Sequence, residues 1–149
     1  MLPVAILMYE HRLIERMLQL IRKEIVIAGE KQRIDMSFLD ALVDFIQWYV
    51  DRTHHSKEED ILFKDVAKKD ITAADRELLL ELIEEHDFGR RTVVRLVEVG
   101  ERFLRGSAGS LQDILDKLET LADFYQEHIK KKIIFTSRLT VQPGCYRRF

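Results

Sequence analysis

Apolar side chains recur at spacings of three and four along four segments of the chain, which predicts four amphipathic α-helices. Pro3 favours the first turn of the first helix, and Gly29 is predicted to end that helix. Thr72 followed by Asp75 predicts a capping box at the start of the third helix, which is expected to stop near Gly106. The four apolar stripes cover residues 4–25, 39–66, 79–97 and 114–135.

Short connections between long amphipathic helices make neighbours in the chain antiparallel. The fold class predicted is therefore all-α, an up-down-up-down four-helix bundle over residues 1–136. Residues 137–149 contain Pro, Gly and a basic end but no clear helical stripe, so they are expected to be a C-terminal tail whose order the pattern leaves open. The content of only two prolines and six glycines also argues against a many-turned β architecture.

Composition excludes several function classes. A chain of 149 residues with 46% hydrophobic and 34% charged side chains is one ordinary soluble domain, neither a membrane protein nor a disordered chain. The net charge of −2 offers no basic surface for nucleic acid. The single cysteine, Cys145, forms no internal disulfide, and the N-terminus lacks the features of a signal peptide, so a cytoplasmic location is expected. Cys145 is interpreted as an incidental residue of the tail.

Four of the five histidines, His11, His54, His86 and His128, each fall on the apolar stripe of a different helix. A single histidine on such a stripe is more often a satisfied core residue than a ligand. Four of them need partners for their ring nitrogens that a hydrocarbon core does not offer, whereas a shared metal ion satisfies several at once. The pattern therefore favours a metal site in the bundle interior.

An internal repeat supports this interpretation. The Glu-His pair at residues 10–11 recurs at residues 85–86, an offset of 75, and His54 recurs as His128 at an offset of 74. The chain thus reads as two helical hairpins of one pattern, each of which supplies one histidine from each of its helices. Such a pseudo-twofold arrangement is suited to two metal ions.

The second helix also carries candidate carboxylate ligands. His54 and Glu58 are four positions apart, so they project from one face of a helix and can bind one ion or bridge two. His55 and Glu59 have the same spacing, but charged residues one turn before His55 indicate that its face looks toward solvent. His54 and Glu58 are therefore the preferred inward pair, and His55 and Glu59 are the less favoured candidates.

These residues resemble the hemerythrin-like, or HHE cation-binding, family, whose four-helix bundles hold a non-haem di-iron centre. The resemblance covers about residues 4–135 and is most specific at HHSKEEDILF, residues 54–63. It implies bridging carboxylates and an open position at which dioxygen or nitric oxide binds. The metal ligands that it implies are His11, His54, Glu58, His86 and His128.

Two positions depart from the family pattern. The fourth helix should repeat His-x-x-x-Glu, but Lys132 stands four residues after His128, and two residues are missing after Lys131 relative to the second helix. Members with a second histidine on the third helix would use the position occupied here by Arg90. An ammonium in place of a bridging carboxylate should weaken a dinuclear centre, because like charges then lie close together.

Three structural outcomes at Lys132 remain open at this point. The lysine could lose its proton, as buried lysines do. It could pair with Glu58 in place of a metal ion. Alternatively, the last turn of the helix could distort so that Glu127 or the lysine stems change position.

The sequence predicts a hemerythrin-like protein that holds non-haem iron, as one well-held ion or an asymmetric pair in an impaired di-iron site. Manganese and zinc are the alternative metals. The protein is expected to bind or sense a diatomic ligand such as dioxygen or nitric oxide, or to handle iron, rather than to be an enzyme. Tyr125, one turn before His128, is either a hydrogen-bond donor beside the ligands or simple core. The alternative is a metal-free interaction module with a relic site; the sequence identifies no protein partner.

Overall fold

The protein is a bundle of four long helices, as the apolar stripes predict. The computed structural model describes residues 3–141, and within that range the chain is helical apart from short connections and has no strand. The connections cover residues 32–35, 68–72 and 105–109. No helix in the described range is both long enough and apolar enough to cross a membrane. The helices are α1 (Pro3–Lys31), α2 (residues 36–67), α3 (Ala73–Leu104) and α4 (Ser110–Val141).

The helix boundaries agree with the sequence signals at α3 but not at the end of α1. The Oγ1 atom of Thr72 accepts a hydrogen bond of 3.1 Å from the backbone N–H of Asp75, which confirms the predicted cap. The prediction that Gly29 ends α1 was wrong, since the helix continues to Lys31. A glycine costs a helix only about 1 kcal/mol relative to alanine. Directly after α1, Gln32 takes a left-handed φ of 50°.

The fourth helix extends beyond the boundary predicted at residue 136. It continues to Val141, so the first residues of the expected tail are helical. Leu139 is 1% exposed and packs in one apolar cluster with Leu7, Leu82 and Phe135. Burial of this leucine stabilises a last turn that the stripe from residue 114 to 135 had not included. The rest of the predicted tail, with Cys145, lies outside the described residues.

The apolar core is divided into two clusters, and a polar layer lies between them. On each helix the stripe histidine stands in sequence between a residue of the smaller cluster and a residue of the larger one. The four helices therefore bring their histidines to one level of the bundle. The flanking pairs are Leu7 and Ile14 on α1, Leu62 and Val50 on α2, Leu82 and Val93 on α3, and Phe135 and Tyr125 on α4.

Much of α2 is π-helical, over Ile46–His55 and Glu58–Phe63, whereas α4 is an ordinary α-helix. A π-helix bonds residue i to residue i+5 and so places more residues in a given length. It is rare, and π-helical turns are frequent at functional sites. Phe63 follows His54 by nine positions, whereas Phe135 follows His128 by seven. The two phenylalanine rings nevertheless meet, with centres 6.3 Å apart. The denser winding of α2 thus accommodates the two-residue difference between the repeats.

Candidate metal centre

All five histidines lie together in the polar layer, and each is no more than 3% exposed. The ring centres of His11 and His54 are 4.7 Å apart, and those of His86 and His128 are 5.0 Å apart. The ring of His55 stacks on that of His86 at 3.7 Å. The convergence of the four predicted histidines is therefore present, and a fifth ring joins them.

The prediction that His55 faces solvent was wrong, because its side chain is only 2% exposed. The prediction assumed an α-helical period, under which the charged residues before His55 mark an outer face. His54 and His55 both end a π-helical segment, in which successive residues are rotated less around the helix axis than in an α-helix. Both rings consequently point into the bundle.

The donor atoms form two triads that meet at Glu58. In the first triad, Oε1 of Glu58 lies 3.2 Å from Nε2 of His54 and 3.7 Å from Nε2 of His11. The second triad is His55, His86 and His128, with ligand atoms within 4.8 Å of one another. Metal–ligand bonds of about 2.1 Å place neighbouring donors about 3.0–3.4 Å apart. The separation of Glu58 Oε1 and His54 Nε2 falls in this range, and that of Glu58 Oε1 and His11 Nε2 is slightly longer.

Unsatisfied polar atoms provide an independent test of whether a cation fits. In the described part of the chain, every buried side-chain polar atom without a hydrogen bond of good geometry belongs to one of the five histidines or to Glu58. Buried polar groups are otherwise almost always paired, and an unpaired one is costly. A metal ion would satisfy several of these atoms at once, so the residues fit a bound cation.

Three carboxylates hold the outer nitrogens of the rings. Nδ1 of His54 lies 2.8 Å from Glu10, and Nδ1 of His128 lies 2.5 Å from Glu85. Nδ1 of His86 lies 2.6 Å from Oε1 of Glu59. Carboxylates in this position fix the tautomer that leaves Nε2 free to bind a metal. Glu59, a less favoured ligand candidate, therefore contacts His86 from outside and enters neither triad.

These supporting contacts repeat between the two hairpins, a feature that sequence analysis missed. Glu10 contacts His54 and also accepts a hydrogen bond from Lys57. In the second hairpin, Glu85 contacts His128 and accepts a hydrogen bond from Lys131. The signal was the glutamate that precedes the first histidine of each hairpin. Its partner is the histidine of the neighbouring helix, and proximity in sequence does not indicate this.

Of the three outcomes open at Lys132, the structure has the pairing with Glu58. Nζ of Lys132 lies 2.6 Å from Oε2 of Glu58, and both side chains are 3% exposed. Lys131 binds carboxylates of α3, whereas Lys130 pairs at the surface with Glu127, which does not enter the site. The helix is regular here, so no distortion moves the lysine out of the core.

Burial and the nearby ammonium set the charge of the site. Burial, together with the charge of Lys132, lowers the pKa of His128 to about 3 and lowers that of His55 well below 6.5. Burial would raise the pKa of Glu58, but Lys132 and the surrounding imidazoles hold it well below 4.5. Burial lowers the pKa of Lys132, and Glu58 opposes that shift. The result is that His55 and His128 are neutral beside an ionised carboxylate, and these are the protonation states that bind metals.

Arg90 occupies the position where some relatives are expected to carry a histidine, and it builds an outer charge cluster instead. Its guanidinium donates to Asp51 and Glu59 at 2.7 Å each and to Asp87 at 2.9 Å. Because Glu59 also holds His86, Arg90 orients a supporting carboxylate of the second triad. These carboxylates raise the pKa of Arg90 against the effect of burial.

A small cavity lies beside the second triad. Its volume is about 240 Å³, and Asp51, His55, Arg90 and Tyr125 contribute to its wall. Tyr125 is buried, and its ring centre is 6.5 Å from that of His55. Burial raises the pKa of Tyr125. Its predicted role as a hydrogen-bond donor to the site stays a prediction.

Comparisons with known proteins agree with the geometry. The model of the hemerythrin HHE cation binding domain family matches residues 2–132, which includes both triads and Lys132. Neither the curated proteins nor the solved structures contained a match. The family match covers most of the chain, and the histidine layer is the kind of site that its description names. The chain therefore belongs to the hemerythrin HHE cation binding domain family.

Proposed function

We propose that this protein holds non-haem iron in the histidine layer and that the bound iron binds or senses a diatomic molecule, either dioxygen or nitric oxide. The observation that carries the proposal is the set of buried, unpaired ring nitrogens directed at one another around Glu58. Membership of a cation-binding family supports the same conclusion.

The choice of metal rests on the donor atoms. Imidazole nitrogen and carboxylate oxygen suit iron, with manganese and zinc as the alternatives, whereas magnesium and calcium prefer oxygen ligands throughout. Three of the rings are held by carboxylates through Nδ1, which strengthens Nε2 as a donor. Iron bound here would supply the redox-active centre to which the diatomic ligand adds.

The choice of a diatomic ligand rests on space. The cavity beside His55, at about 240 Å³, is smaller than the pockets of about 300–1,000 Å³ that hold drug-sized ligands. Around the centre, Phe63 and Phe124 stack on the rings of His86 and His128 and restrict the volume further. A small molecule fits these surroundings better than a larger substrate does.

One observation favours a second candidate, a metal-free helical module whose site is a relic. The ammonium of Lys132 already neutralises Glu58 at 2.6 Å, as a bound cation would. Under this alternative the bundle keeps its histidines as buried core residues and acts through its surface. The two candidates differ in whether the protein retains iron.

The deciding experiment is metal analysis of protein purified without oxygen and supplied with ferrous iron. Retention of about one or more irons per chain, with a visible charge-transfer band that changes on addition of air or nitric oxide, is the expected result. The matched control is the variant His54→Ala/His86→Ala, which removes one histidine from each triad and should retain no iron. A correctly folded wild-type protein without iron would support the metal-free module instead.

A further inference from the structure

The two triads are chemically different. The first consists of two imidazoles and one carboxylate oxygen, His11, His54 and Oε1 of Glu58. The second consists of three imidazoles and has no carboxylate of its own. A dication in the first triad is partly neutralised by its ligands, whereas a dication in the second would depend on the other oxygen of Glu58.

Lys132 forms an ion pair with that other oxygen, Oε2 of Glu58. Its Nζ lies 2.6 Å from Oε2, and Nε2 of His86 lies 3.2 Å from the same atom. The ammonium thus stands on the side of Glu58 that faces the second triad. An ion bound by His86 and Oε2 would have to displace the lysine or lie against its positive charge.

The surrounding carboxylates do not relieve this repulsion. Each carboxylate that holds a ring nitrogen is also paired with a cation outside the centre. The pairs are Glu10 with Lys57, Glu59 with Arg90, and Glu85 with Lys131. Together with Glu58 and Lys132, these three pairs carry no net charge. Arg90 and Lys131 are shared with Asp51, Asp87 and Glu81, but these three side chains are 32%, 59% and 51% exposed, so solvent screens their charge. Among the described residues of the buried layer, Glu58 is therefore the one carboxylate available to offset two dications and an ammonium.

We propose that the centre holds one divalent metal ion, bound by His11, His54 and Oε1 of Glu58, and that the ammonium of Lys132 takes the place of a second cation. This inference rests on the proposed iron-binding function and specifies it. The Glu58 carboxylate bridges the metal ion and the ammonium through its two oxygens. The His55, His86 and His128 rings lie beside this pair and bind no ion.

The donor set has a chemical consequence. Two histidines and one carboxylate form the ligand set of mononuclear ferrous centres, which leave coordination positions open for water or a small ligand. The binding of a diatomic molecule at such a centre needs only one metal ion. Lys132 would therefore change the number of metal ions without removing the iron-binding function.

The test is iron stoichiometry and electron paramagnetic resonance of the full chain, loaded with ferrous iron without oxygen, desalted and then oxidised. About one iron per chain is expected, with the signal of an isolated ferric ion; two coupled ferric ions would give no ground-state signal. The matched variants are His11→Ala, which should lose at least about nine-tenths of the iron, and His128→Ala, which should keep it. Lys132→Glu should raise the content to about two irons, and Lys132→Met, which introduces no new charge, should raise it above one.

Several results would overturn the inference. Two irons per chain in the wild-type protein would do so, as would loss of iron in His128→Ala with retention in His11→Ala. An unchanged content of one iron in folded Lys132→Met and Lys132→Glu would contradict the role given to the ammonium. Absence of iron from folded wild-type protein would instead refute the proposed function, so the two failures are distinguishable.

Discussion

Glu58 and Lys132 occupy equivalent positions in the two halves of the chain, four residues after His54 and His128 respectively, and their charged groups lie 2.6 Å apart in the interior. A repeat that should place two carboxylates across the pseudo-twofold axis places an ion pair there instead. Removal of one partner of a buried pair leaves an uncompensated charge, whereas replacement of both partners by neutral groups is often tolerated.

The substitution Glu58→Gln should therefore destabilise the metal-free protein strongly. Loss of the carboxylate leaves the ammonium of Lys132 buried without a counter-ion, and the expected decrease in the free energy of unfolding is about 3–5 kcal/mol. The measurement is urea denaturation in the presence of a chelator. The control is Glu58→Gln/Lys132→Met, which should recover most of the stability. A double variant as unstable as the single one would show that the pair is not the cause.

The metal-free protein should lose stability as the pH falls below about 6.5. The pKa of His128 is about 3 in the folded state, against an ordinary value of 6.5, so the unfolded chain binds more protons between these values. The depressed pKa values of His11 and His55 act in the same direction. For His128 alone, the decrease in unfolding free energy between pH 7 and pH 5 is about 2 kcal/mol.

Urea denaturation of chelator-treated protein at a series of pH values measures this dependence of stability on pH. Stability should be nearly level between pH 7 and pH 8, where these histidines are neutral in both states. A stability that did not change between pH 7 and pH 5 would mean that the imidazoles are not buried as described.

The supporting carboxylates should differ in their effect on iron affinity. Glu10→Gln weakens the support of His54 in the first triad, whereas Glu85→Gln makes the equivalent change at His128 in the second. Loss of such a partner typically lowers metal affinity about 10- to 100-fold. With one ion in the first triad, Glu10→Gln should show this loss and Glu85→Gln should not. Competition with a chromogenic chelator measures both; equal losses would place metal in both triads.

Ferrous iron should stabilise the fold. A ligand that binds only the folded state at 100 times its dissociation constant adds about 2.7 kcal/mol. In a protein of this size each kcal/mol corresponds to about 2–4 °C in melting temperature. Thermal unfolding without oxygen should therefore shift upward by about 5–10 °C with iron. Magnesium, which prefers oxygen ligands, is the control and should produce no shift.

Leu139 tests the extension of α4 beyond the apolar stripe. The side chain is 1% exposed in the cluster with Leu7 and Phe135, so Leu139→Ala should lower the unfolding free energy by about 2–5 kcal/mol. The neighbouring Thr140 is exposed, and Thr140→Ala should change it by less than about 0.5 kcal/mol. Similar small effects of both substitutions in urea denaturation would show that this turn does not pack on the bundle.

The sequence by itself determined the class of fold, the family and the four histidines of the centre. The apolar period defines a face on each helix, and a histidine on such a face must enter the bundle wherever the helix packs. The repeat of Glu10-His11 and His54 in the second hairpin showed that the histidines belong together. The fold class and the histidines follow from local spacing, which the chain displays directly, and the family follows from the resemblance of residues 54–63 to a known motif.

Only the tertiary structure decided which groups meet. The burial of His55 depends on π-helical winding in α2. An assumed α-helical period places His55 on the outer face instead. The contact between Glu10 and His54 and that between Glu58 and Lys132 each join different helices. Helical spacing specifies which face a side chain occupies but not which atom of a neighbouring helix lies opposite it, because the depth and rotation of each helix are set by packing of the whole bundle.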